Sequence, residues 1–121
     1  MADYRLLIDG ALVAGDSEMD VINPATETVL AKAPRASERQ LDEAVAAARK
    51  AFPGWARTPV AERRAMLVRI AEAIEARTDE LGRLLTQEQG KPLAEATAEI
   101  AYTAAFFRYF STLPLEDKLI E

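Results

Sequence analysis

From Ala101 to Phe110 the chain reads Ala-Tyr-Thr-Ala-Ala-Phe-Phe-Arg-Tyr-Phe, which is apolar on nearly every face of the helix it would form. A helix that is hydrophobic all round has to be enclosed by protein. The rest of the chain predicts three further helices and two small hairpins, enough to cover one or two of those faces. An aromatic cluster left partly bare marks either an interaction surface or a domain that more polypeptide completes. The helix itself is predicted from about Pro92 to Ser111, and its first half, Leu93 to Glu99, is amphipathic.

The preceding residues are punctuated clearly. Tyr4 to Ile8 and Ala11 to Ala14 are short apolar runs joined by Asp9-Gly10, a pair that accepts the positive φ angles of a type I′ turn. A second extended pair, Met19 to Ile22 and Thr28 to Ala33, flanks Asn23-Pro24-Ala25-Thr26, and proline pushes Asn23 out of the helical region. Pro34 is expected to stop that second strand. Ser37 and Gln40 have the spacing of a capping box, and Leu41, Val45, Ala48 and Phe52 follow at helical spacing. This first helix is expected to end at Pro53-Gly54. Thr58 and Pro59 predict a capping hydroxyl and a proline at the first position of a second helix, whose apolar stripe is Leu67, Ile70, Ala71 and Ile74. A third helix begins at Thr78-Asp79, carries Leu81, Leu84 and Leu85, and closes at Gly90 in the manner of a left-handed C-cap, with Pro92 just beyond.

These elements define an α+β chain of four helices and two amino-terminal β-hairpins. Its 121 residues, 50% hydrophobic and 29% charged, have the profile of one ordinary domain. The net charge of −5 and the scattered basic residues argue against a nucleic-acid or anionic-membrane partner, because phosphate recognition depends on clustered Lys and Arg. Arg63, Arg64, Lys91 and Arg108 are expected on solvated helix faces. With no Cys and no His, the chain has no disulfide, no thiol nucleophile, no imidazole base and no Cys or His metal ligand. Met1 to Gly10 lacks the basic-then-apolar pattern of a signal peptide, and no run approaches the ~20 apolar residues of a membrane span, so a cytoplasmic location is expected. Gly90-Lys91 has no upstream Gly-rich loop and so is not a phosphate cradle. Asp79 with Glu80, and Glu95 with Glu99, read as helix-end and exposed-face charges.

Several segments, taken in order, carry a family resemblance: Asn23-Pro24-Ala25-Thr26 after a strand, Ala51-Phe52 with Trp55, Glu88-Gln89-Gly90-Lys91-Pro92 between helices, Glu95-Ala96, and Phe107-Arg108-Tyr109-Phe110. In this order and spacing the chain resembles the amino-terminal segment of the aldehyde dehydrogenase superfamily. The tail from Leu113 to Glu121 is similar to the segment that leads into the dinucleotide-binding sheet in that family. The resemblance implies residues 1–35 as β-hairpins, 36–112 as a four-helix region and 113–121 as the lead into that sheet, all within a larger α/β fold.

The activity so implied is NAD(P)-dependent oxidation of an aldehyde to a carboxylic acid, through a cysteine thiolate and a glutamate-activated water. No catalytic and no cofactor-binding residue is assigned here, because the resemblance places those groups downstream of Glu121. NAD or NADP is expected in the intact enzyme and none on this chain alone. The implied partners are the rest of the enzyme, a small aldehyde and, in the intact protein, further copies in a homo-oligomer. Many family members hold a structural monovalent cation, and the matching positions are the carbonyl of Ile22 and the carboxylate of Glu88; a solvent-facing helix carboxylate is the competing reading of Glu88. The resemblance also sets Ala98, Tyr102 and Phe106 along the passage by which aldehydes arrive, against the plainer reading that they pack a core. Two other functions compete: a free-standing helical binding module, and a relative that passes the acyl group to coenzyme A.

Overall fold

The computed structural model describes residues 4–115. Among them, in chain order, lie β1 (Leu6–Ile8), β2 (Ala11–Val13), β3 (Ser17–Asn23), β4 (Thr28–Arg35), α1 (Glu38–Ala56), α2 (Val60–Glu75), α3 (Thr78–Gln89) and α4 (Leu93–Thr112). The two hairpins and four helices are those predicted from the sequence. They divide into two compact units: residues 4–57 with 87–90, and residues 58–86 with 91–115. No helix among the described residues is long and apolar enough to cross a membrane.

The first unit is built from the two hairpins and α1. Antiparallel β1 and β2 pair Leu6 with Val13 and Ile8 with Ala11, and the turn between them places Asp9 at φ 48° and Gly10 at φ 78°. Both angles are positive, as a type I′ turn requires. Leu6, Ile8 and Val13 turn inward while Leu7 and Leu12 stay open, and α1 packs on β1. The second hairpin pairs Ser17 with Arg35 through to Asn23 with Thr28, with a bulge where Val21 faces Ala31 but Ile22 faces Val29. Leu30 is the extra residue. At the tip, the Asn23 side chain accepts from Ala25 N at 2.9 Å, and the Asn23 carbonyl accepts from Glu27 N at 2.8 Å.

Gln40 ties these parts together. The Ser37–Gln40 capping box forms as predicted, with Gln40 N donating to Ser37 Oγ and Ser37 N donating to Gln40 Oε1. The same oxygen also accepts from Asp16 N at 3.0 Å, and Gln40 Nε2 donates to Ala14 O at 2.8 Å. A cap side chain therefore doubles as the bond between the helix start and the segment linking β2 to β3. Gln40 is the buried polar residue of the described chain, and this full set of partners is what lets it be buried. Around it, Ser37 Oγ donates to Asp16 and Arg39 pairs with both Asp16 and Glu43.

In the second unit α4 lies along α2, and α3 approaches α4 at Gly82. A Cβ on Gly82 would fall 2.7 Å from Thr97 Oγ1 and 3.1 Å from Thr97 Cα, so the approach depends on that position having no side chain. The fully buried apolar residues of this unit are Ala71, Ala96 and Ala104; in the first unit Ala31 is buried at 7% exposure. No large side chain is fully enclosed among the described residues. Arg108 reaches from α4 to α2 and grips Glu75 with two bonds, Nε to Oε1 at 2.7 Å and Nη2 to Oε2 at 2.5 Å.

Several boundaries differ from the sequence expectations. Pro34 does not stop β4, which runs on to Arg35; in a two-stranded sheet each strand is an edge, so a missing N–H can face outward without breaking the ladder. Pro53 does not end α1, which continues one turn to Ala56; proline keeps a helical φ and sacrifices only the bond to the preceding turn. Thr58 does not occupy the cap position of α2: Pro59, extended at ψ 144°, takes it and makes no side-chain cap hydrogen bond. The predicted stripe Leu41, Val45 and Phe52 is exposed rather than buried, and α1 turns Gln40, Ala44 and Ala47 inward instead. The four basic residues expected on solvated faces are less free than that: Arg63 is half-buried and Arg108 holds Glu75. Lys91 pairs with Glu99, and Arg64 is half-buried, donating to the carbonyl of Leu113 with its Nε enclosed.

Three measurements check this reading. Gln40→Ala strands three backbone groups and is expected to destabilise the chain by about 1–3 kcal/mol in chemical denaturation. Gly82→Ala is expected to cost ~1–3 kcal/mol by crowding Thr97, whereas Gly54→Ala, where an added Cβ meets nothing, should leave stability unchanged or raise it by up to ~1 kcal/mol. The Ser37 hydroxyl and then Arg39 hold the Asp16 carboxyl below its ordinary 3.8, and Arg108 holds Glu75 below its ordinary 4.5. A depressed carboxyl pKa stabilises the fold above the ordinary value and loses that contribution as pH falls through the folded value. Acid sensitivity in denaturation profiles should accordingly begin as the pH drops through this carboxylate range and shrink in Glu75→Gln.

Candidate functional site

Helix α4 presents two unlike faces. Ala96, Ile100, Ala104, Phe107 and Ser111 recur at helical spacing on the covered side. The opposite side carries Tyr102, Phe106 and Tyr109, which are 68%, 49% and 58% exposed, so the helix that ought to be enclosed is covered on one face only. With Ala105 these three line an open groove of about 180 Å³. Tyr102 meets Phe106 edge-on at 5.0 Å between ring centres, and Phe106 stacks on Phe110 at 6.3 Å with planes 20° apart. Tyr109 meets Phe110 edge-on at 5.4 Å. Tyr102, Phe106 and Phe110 form a ladder one helical turn per step, with Tyr109 set against its last ring.

Two of the three predicted passage residues, Tyr102 and Phe106, therefore share one groove. Ala98 lies exposed one turn upstream and does not line it. Ala105 and Tyr109 complete the lining and were not singled out from the sequence, although their spacing from Tyr102, three and seven residues on, is the signal that finds them. No charged side chain lines the groove. Arg108, the charge nearest in sequence, is drawn to Glu75, which raises its pKa and lowers that of the carboxylate.

The predicted cation residues both lie in the first unit. Ile22 is the penultimate residue of β3, directly before the Asn23 turn, and Glu88 lies in the last turn of α3. Gly90 ends that helix at φ +77°, and a Cβ there would come within 3.0 Å of Pro24 Cγ. The end of α3 is thus pressed against the Asn-Pro turn, which brings the two segments together. Glu88 is exposed, and no group of three or more acidic residues suited to a metal ion occurs among the described residues. The left-handed φ favours a glycine and the contact with Pro24 leaves little room for a side chain at Gly90, and Lys91 beside it is occupied by Glu99 rather than free for chemistry.

Comparison with known proteins places this arrangement in a family. Residues 12–118 match the model of the aldehyde dehydrogenase family, and the chain belongs to that family. The N-succinylglutamate 5-semialdehyde dehydrogenase of Chromobacterium violaceum is 48% identical over 96 residues, covering 78% of this chain and 20% of that protein. Among solved structures, an NAD-dependent benzaldehyde dehydrogenase from Corynebacterium glutamicum superposes with a TM-score of 0.82 at 35% identity, over 88% of this chain and 24% of the other. A betaine aldehyde dehydrogenase variant from Staphylococcus aureus, in complex with NAD+, gives a TM-score of 0.85 at 30% identity, over 88% of this chain and 23% of the other. The chain spans about a quarter of the length of the relatives it matches.

The uncovered aromatic face has a direct consequence in solution. The chain is expected to enhance the fluorescence of an apolar-surface dye, and the double variant Tyr102→Gln, Phe106→Gln should cut that signal by about half or more while leaving helix content unchanged in circular dichroism.

Proposed function

We propose that this chain forms the amino-terminal scaffold of an NAD-dependent enzyme that oxidises an aldehyde to a carboxylic acid. The observation that carries this reading is the family match along residues 12–118, in a chain that spans a quarter of its relatives' length. Bound NAD supplies the hydride acceptor; the thiol that attacks an aldehyde must come from elsewhere, since this chain has no Cys. Residues 1–35 and 36–112 supply the scaffold, and residues 113–121 lead toward the dinucleotide-binding sheet. The rest of the enzyme covers the bare face of α4. Tyr102 and Phe106, with Ala98 upstream, form part of the wall along which the aldehyde travels, and an uncharged aromatic wall favours a substrate with an apolar or aromatic end. The cytoplasmic location and the homo-oligomer belong to the same reading. A free-standing interaction module would also expose these aromatics, but it leaves the family match unexplained.

A chimera provides the test. When this chain replaces the matching segment of the Corynebacterium glutamicum benzaldehyde dehydrogenase, the product should still form NADH from aldehyde and NAD. A chimera that folds and binds NAD but turns over no aldehyde would count against the proposal. The 121-residue chain by itself should give no NAD-dependent turnover, and measurable hydride transfer by it would overturn the assignment of scaffold alone.

We further propose Ile22 and Glu88 as ligands of a structural monovalent cation, supported by the close approach of the α3 end to the Asn-Pro turn. Hard oxygen donors and the partial negative charge of a helix C-terminus suit such an ion. Potassium should then raise the melting temperature of the chimera relative to tetramethylammonium, a cation too large for the site, and Glu88→Ala should abolish that difference. An unchanged difference in Glu88→Ala would remove this residue from the ligand set.

A further inference from the structure

We draw no further inference here: the strongest candidate, the exposed apolar stripe of α1 running from Leu41 through Val45 and Phe52 to Trp55, carries nothing because no feature of the structure shows what covers it.

Discussion

Close approach through small residues is the constraint on which the described structure rests. The buried apolar positions are alanines, and one glycine lets α3 and α4 meet. Alanine removes little apolar surface from water, so such contacts contribute less per residue than a buried Leu or Phe. Their value is geometric, because they allow backbones to come near enough for orientation to be fixed. Several of the larger apolar side chains sit at the surface of both units: Leu41, Val45, Phe52 and Trp55 on α1, and Tyr102, Phe106, Tyr109 and Phe110 on α4.

That distribution also explains how the polar network earns its place. In the first unit the orientation of α1 relative to its hairpins is held by the packing of α1 on β1 and by a polar network around Asp16 in which one amide side chain is central. Gln40 offers two donors and an acceptor oxygen with two lone pairs, and the segment between β2 and β3 uses both ends of it. In the second unit the Arg108–Glu75 pair has a matching role between α2 and α4, although it is exposed and contributes modestly.

Much of the fold was legible in the sequence because its signals are local. Asp9-Gly10, the Ser37–Gln40 box and Gly90 each specify a backbone geometry that the neighbouring residues alone can satisfy, and all three occur as read. The structure departs from those local signals where tertiary context decides. Pro34 and Pro53 read as stops by propensity, yet an edge strand and a last helical turn tolerate the missing N–H. The Leu41–Val45–Phe52 periodicity was real, but periodicity reports only that a face is apolar and not whether these residues have anything to pack against. The aromatic face of α4 was legible for the same reason, while the exact lining of its groove depended on helical phase: Tyr102 and Phe106 were found, Ala105 and Tyr109 were not. Arg64 is drawn from solvent by a partner no local signal announces, the carbonyl of Leu113, 49 residues away along the chain.

The sharing of Gln40 between a helix cap and a strand connection bears on how the first unit opens. The amides of Asp16 and Ser37 donate to the same oxygen, so neither can be released to solvent by withdrawal of that side chain without releasing the other. Fraying of the α1 start and loosening of the link between the two hairpins are coupled through one side chain, rather than being independent fluctuations. A helix terminus, ordinarily the first place to fray, is thereby given the opening cost of an interior contact.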